Sequence, residues 1–127
     1  MPLTMPVLRP VIRHPDPAEE IPTPEHCSIL ESWNDDSDST VSIARARVEP
    51  GVTTQLHTVA VDERYVIVEG RGVVTIGDLA DEDVQPGDVV VIPAGTPQRI
   101  SNPGTVDLVF YCVCSPRFTS EAYTALE

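Results

Sequence analysis

From Cys27 onward, apolar and polar positions alternate in short runs, and turn-forming clusters close each run. The runs are CSILESW, VSIARARV (41–48), ERYVIVEG (63–70), GVVTIG (72–77), DVVVIP (88–93), PQRISN (97–102) and VDLVFYCVC (106–114). Each is rich in β-branched or aromatic residues, and between them stand NDDSDS, EPG, EGRG, QPGD, PAG and NPG. Period-two segments of this length, set about ten residues apart with almost no helical periodicity, predict an all-β sandwich or barrel. Before Cys27 the pattern is broken by seven prolines in 26 residues, which predicts an extended N-terminal arm (1–26) with at most edge strands. After the barrel segment (27–118), TSEAYTALE predicts a short C-terminal helix over 119–127, with Thr119 or Ser120 as cap and Glu121 in the first turn.

A chain of 127 residues has the length of one domain with one core. Its apolar runs, such as Val89-Val90-Val91-Ile92, are far shorter than the roughly 18 residues a spanning helix needs. The opening MPLTMPVLRP does not resemble a secretory signal, so the expectation is a soluble, cytoplasmic protein. Twenty acidic residues stand against eight basic ones, all arginine, for a formal net charge of −12. So acidic a chain lacks the basic face that nucleic acid or an anionic membrane requires, and the expectation is neither partner. Cys27, Cys112 and Cys114 cannot all pair within one chain and have no C-x-x-C spacing, which fits free thiols in a reducing compartment.

The candidate chemistry lies in GVTTQLHTVAVDERYVIVEG (51–70), where His57 and Glu63 stand between Gly51 and Gly70. Positions of equal parity share a face, so His57, Glu63 and Tyr65 point together if the intervening turn keeps register. Downstream, PGDVVVIPAGTPQRISN carries Gly87, Pro93, Gly95, Gln98 and Asn102, and the bend at Pro93 and Gly95 can swing Gln98 towards the same interior.

These two stretches resemble the cupin superfamily, whose motifs run G-x5-H-x-H-x3,4-E-x6-G and G-x5-P-x-G-x2-H-x3-N. Every anchor other than the ligands stands at the expected spacing. The resemblance implies a double-stranded β-helix, a jelly-roll-like barrel, and a homodimer that covers its edges. It also implies a metal set of three histidines and one glutamate, but here Val59 and Gln98 occupy two of the histidine positions. The set becomes His57, Glu63 and Gln98, suited to a divalent transition metal such as Mn, Fe(II), Ni or Zn with open positions for a small-molecule substrate. Isomerase, lyase and dioxygenase activities all occur among cupins, and the family does not choose between them. The alternative is a metal-free, non-catalytic cupin that binds a small molecule through hydrogen bonds from the same three residues.

Other residues keep two readings each. Tyr65 is a core residue with a tethered hydroxyl or a catalytic acid/base in the cavity. Arg45 and Arg47 alternate with Ala44 and Ala46: with the alanines inward, the arginines lie at a sheet or subunit contact, and otherwise they bind an anion. Cys112 and Cys114 are inert buried thiols or a soft extra ligand. Trp33 is expected as a core anchor and NDDSDS as a solvated loop.

Overall fold

The computed structural model describes residues 8–127. Two antiparallel sheets face one another in a jelly-roll arrangement. The first has the order β1-β2-β3-β10-β5-β8, built from β1 (Ile21–Pro22), β2 (Ser28–Trp33), β3 (Ser42–Val48), β10 (Leu108–Ser115), β5 (Asp62–Glu69) and β8 (Val89–Ile92). The second has the order β11-β4-β9-β6-β7, from β11 (Tyr123–Ala125), β4 (His57–Val59), β9 (Gln98–Ser101), β6 (Gly72–Ile76) and β7 (Glu82–Val84). Among the described residues no helix is long and apolar enough to cross a membrane.

Strand parity sets the interior. Ser42, Ala46 and Val48 of β3, Glu63, Tyr65 and Ile67 of β5, and Gln98 and Ile100 of β9 are buried, while the residues that alternate with them are half-exposed or exposed. The core gathers Val48, Ile67, Ile92, Ile100, Leu108 and Phe110 between the sheets. At one end the β5–β6 turn closes through Gly70, whose φ of +74° lies in the left-handed region; a Cβ there would stand 2.5 Å from the Asp107 carbonyl oxygen. Asn102 ties down the adjoining loops: its side-chain amide donates to the carbonyls of Val48 and Val106, and its side-chain carbonyl accepts from the Gly104 N–H.

Several expectations need correction. The C-terminal helix is absent: Ser120–Ala122 forms one 3-10 turn, and Tyr123–Ala125 continues as β11 against β4. Thr119 makes no side-chain capping bond, and so short a segment gains more from ladder hydrogen bonds than from one isolated helical turn. The arm expected over 1–26 is described only from residue 8, since residues 1–7 lie outside the described residues; it holds a 3-10 turn (Pro17–Glu19) and the two-residue edge strand β1. Trp33 is half-buried rather than a core anchor, donating to Asp38 at 2.9 Å with Arg13 over its ring. Asp38, from the loop expected to be solvated, is buried and also accepts from Thr40.

The alanines of β3 face inward. Arg45 and Arg47 lie on the outer face, where Glu20 of the arm accepts from Arg47 at 2.6 and 3.0 Å and approaches Arg45 at 3.5 Å. The arginines therefore hold the arm to the sheet.

Candidate functional site: a cavity between the sheets

Four strands bring the sequence-predicted residues to one cavity. His57 and Gln98 are directly opposite on β4 and β9. Glu63 and Tyr65 rise from β5 at alternate positions, with Cys114 and Cys112 of β10 as their cross-strand partners. The Pro93–Gly95 bend sets the approach of β9: Gly95, with φ of +81°, donates its N–H to the Val59 carbonyl at 2.8 Å. The cavity is small, about 90 Å³. His57, Glu63 and Tyr65 stand in its wall together with Val59, Ala44, Ala46 and Phe110. Gln98 lies behind that wall, 1% exposed, and reaches it through Tyr65.

The hydrogen bonds define what each group has left to offer. The His57 Nδ1 lies 2.7 Å from the Gln55 carbonyl oxygen. A carbonyl can only accept, so Nδ1 carries a proton, and when the ring is neutral Nε2 is an acceptor on the side of Glu25. The ring is stacked on Tyr123, with centroids 4.7 Å apart, and the Tyr123 hydroxyl donates to the Gln55 side chain at 2.6 Å. The Tyr65 hydroxyl donates to the Gln98 carbonyl oxygen in a short hydrogen bond. Burial, reinforced by the Glu63 carboxyl, holds the Tyr65 phenol well above its usual range, so it keeps its proton and donates it as a hydrogen bond.

Glu63 is the exceptional group. It is 7% exposed; among the described residues Oε2 accepts only from the Cys114 thiol at 3.6 Å, and Oε1 has no hydrogen-bond partner. Burial pushes the carboxyl above the ordinary carboxylate range, and the nearby Gln98 amide and His57 ring offset this only in part. The thiols are pushed up too: burial, with nearby Glu25 and Glu63, raises Cys27 and Cys114 to about 12, and Cys112 lies well above its normal value. Such thiols are inert as nucleophiles.

Two wall residues that flank His57 come from outside the motifs. Glu25, in the arm, brings Oε2 to 3.9 Å from His57 Nε2. Tyr123 lies in the segment read as a helix. Neither carries a periodicity or motif signal, because each reaches the site through the pairing of a terminal segment with the barrel.

The donor set falls short of a tight transition-metal site. Val59 is buried where a second imidazole would stand, and the Gln98 carbonyl already accepts from Tyr65. Among the described residues no three His, Cys, Asp or Glu side chains gather in a metal-binding group. What remains of the motif residues is one imidazole nitrogen and one carboxylate oxygen, fewer than the three protein ligands of catalytic zinc centres.

The "Cupin domain" family model matches residues 44–114, more than half of the chain. The chain is a cupin. Solved structures agree at the level of the fold. A cupin 2 conserved barrel domain protein from Salinispora arenicola is 21% identical with a TM-score of 0.72, covering 91% of this cupin and 93% of its own chain. Oxalate decarboxylase from Bacillus subtilis superposes with a TM-score of 0.75 at 18% identity over 93% of this cupin, which spans only 33% of that longer chain. The DMSP lyase DddQ from Ruegeria pomeroyi gives 0.69 at 15% identity, covering 80% of this cupin and 52% of that enzyme. No curated protein matches this cupin.

Proposed function

We propose that this cupin binds a small molecule in the cavity between its sheets, with Glu63, His57 and Tyr65 as the polar contacts and Gln98 fixing the Tyr65 hydroxyl. The observation that carries the reading is Glu63 Oε1, a buried polar atom without a hydrogen-bond partner among the described residues, on a side chain that lines the cavity. Leaving such an atom unpaired is costly, and a ligand donor removes the cost. The apolar remainder of the wall suits a molecule with one polar end.

The test is a panel of small fragments added to isotope-labelled protein and followed by amide NMR. Shifts should cluster at residues 57, 63, 65, 98 and 112; fragments that perturb only the outer faces would sink the reading.

A second reading, a divalent-metal enzyme of isomerase, lyase or dioxygenase type, is favoured by the same orphaned oxygen together with the free His57 Nε2. In it His57, Glu63 and Gln98 hold Mn, Fe, Ni or Zn, which supplies Lewis-acid or oxygen chemistry, and Tyr65 serves as proton donor. The missing second imidazole makes it the weaker reading.

A homodimer is proposed as the assembled state. β8 ends its sheet with a free edge, and its Val89 and Val91 are 58% and 63% exposed. A second copy paired about a two-fold axis covers both edges at once. Sedimentation of the parent and of Val91→Glu tests it: the variant should run as a monomer, and a monomeric parent would refute it.

A further inference from the structure

We infer that the ligand of this cavity is a small organic cation, an alkylamine protonated at nitrogen, held by Glu63 and Glu25. The inference rests on the small-molecule reading of the cavity and adds the charge of the ligand.

The balance of charge around the cavity is one-sided. Three carboxylates line it, those of Glu25, Glu31 and Glu63, and no arginine does. The chain has no lysine. The arginines of the adjoining strands are engaged elsewhere: Arg45 and Arg47 face Glu20 on the outer side of β3, and Arg64 donates to Ser115 at 2.7 Å. No arginine or lysine therefore answers the Glu63 carboxyl, whose Oε1 is orphaned among the described residues although the residue is only 7% exposed. Proteins pair such buried carboxylates, and here the pairing group has to arrive with the ligand.

A second feature places a donor nearer the arm. Glu25 Oε2 and His57 Nε2 face each other across 3.9 Å. With the His57 ring neutral and its one proton on Nδ1, both are acceptors, well placed to share an N–H group between them. An ammonium brings three donors to such acceptors and no acceptor of its own.

The rest of the wall fits the remainder of an alkylammonium ion. Phe110, Phe118, Tyr65 and Tyr123 supply aromatic surface, to which a cation is attracted, and Ala44, Ala46 and Val59 supply apolar contact for a carbon chain. An anionic ligand is opposed by the carboxylates and by a net charge of −12. A cavity of about 90 Å³ takes about four non-hydrogen atoms, on the scale where about 150 Å³ holds benzene.

Titration calorimetry with three probes of matched size, n-propylammonium, 1-propanol and propionate, separates the possibilities. The ammonium ion should bind about tenfold or more tightly than the alcohol, and propionate should not bind measurably. Glu63→Gln should remove most of that preference while leaving cooperative thermal unfolding. Glu25→Gln, at a more exposed position, should reduce it too and serves as the control if Glu63→Gln fails to fold. If 1-propanol or propionate binds as well as the ammonium, the cavity is a ligand site and the cation assignment is wrong. If none of the three binds, the cavity reading falls and the cation assignment with it.

Discussion

At the scale of single residues, the site is a set of hydrogen-bonding capacities that are nearly, but not fully, used. Glu63 illustrates the cost. Its folded-state pKa is raised by burial, so the folded protein holds the proton to higher pH than the unfolded chain. Stability is therefore lost as pH climbs from the unfolded carboxyl value through the folded one, and at neutral pH the residue is a net burden without a ligand. Glu63→Gln keeps the shape and removes the charge. Thermal melts without ligand should show the variant more stable than the parent at pH 7 to 8, with the gap closing towards pH 4; a variant less stable at neutral pH would mean that Glu63 is already paired. Tyr65→Phe acts oppositely. It strands the Gln98 carbonyl oxygen in the core and should cost about 1 to 3 kcal/mol by denaturant titration, although the ring still fits. That His57, Glu63 and Tyr65 share one interior was legible in the sequence, because strand parity and two glycine-anchored turns determine which side each faces, whereas Gln98, expected to swing into it, lies behind the cavity wall. Glu25 was not legible, since nothing in a proline-rich arm announces that its carboxylate returns to the cavity.

At the scale of elements, the strands read from alternation all form, from CSILESW to VDLVFYCVC, with ends shifted by a residue or two. The elements missed are those whose alternation is too short or too charged to read: β4 has three residues, β7 is Glu-Asp-Val, and β11 follows a segment with helix-like composition. Pairing decides these, and pairing is non-local. The β5–β6 turn shows the opposite case, where local geometry was readable. Gly70→Ala demands both a left-handed backbone and room for a methyl beside the Asp107 carbonyl, and it should destabilise the barrel by about 2 kcal/mol or more in urea titrations. A loss below about 0.5 kcal/mol would show that the turn rearranges freely. Tyr123 belongs to β11 and covers His57. Tyr123→Ala should leave the strands paired but widen the cavity mouth, which exchange of the neighbouring amides would report as faster opening.

At the scale of the whole molecule, the family was legible because two motifs occur in order on one chain, and the ligand was not, because motif spacing specifies the barrel while the residues that fill it vary. The arm is fastened by charge. Glu20 is held below its ordinary carboxylate range, chiefly by the hydrogen bond from Arg47 and also by the charges of Arg47 and Arg45. A depressed carboxyl stabilises the fold above its unfolded value, and that contribution is lost as pH falls through the folded one. Arg47→Ala should therefore cost below about 1 kcal/mol at pH 7, in the range of surface pairs, and less in acid, while protease sensitivity of the arm increases. Unchanged proteolysis would show that β1 alone secures it.

The central claim is that the cavity is built for a molecule rather than for a tightly held metal, and elemental mass spectrometry tests it most directly. The protein is purified without tag or chelator, then incubated with Mn, Fe(II), Ni and Zn and desalted. The account predicts well below one transition-metal ion per chain, the same in the parent and in His57→Ala. Near one ion per chain in the parent, lost in His57→Ala, would contradict it and establish the metal centre instead.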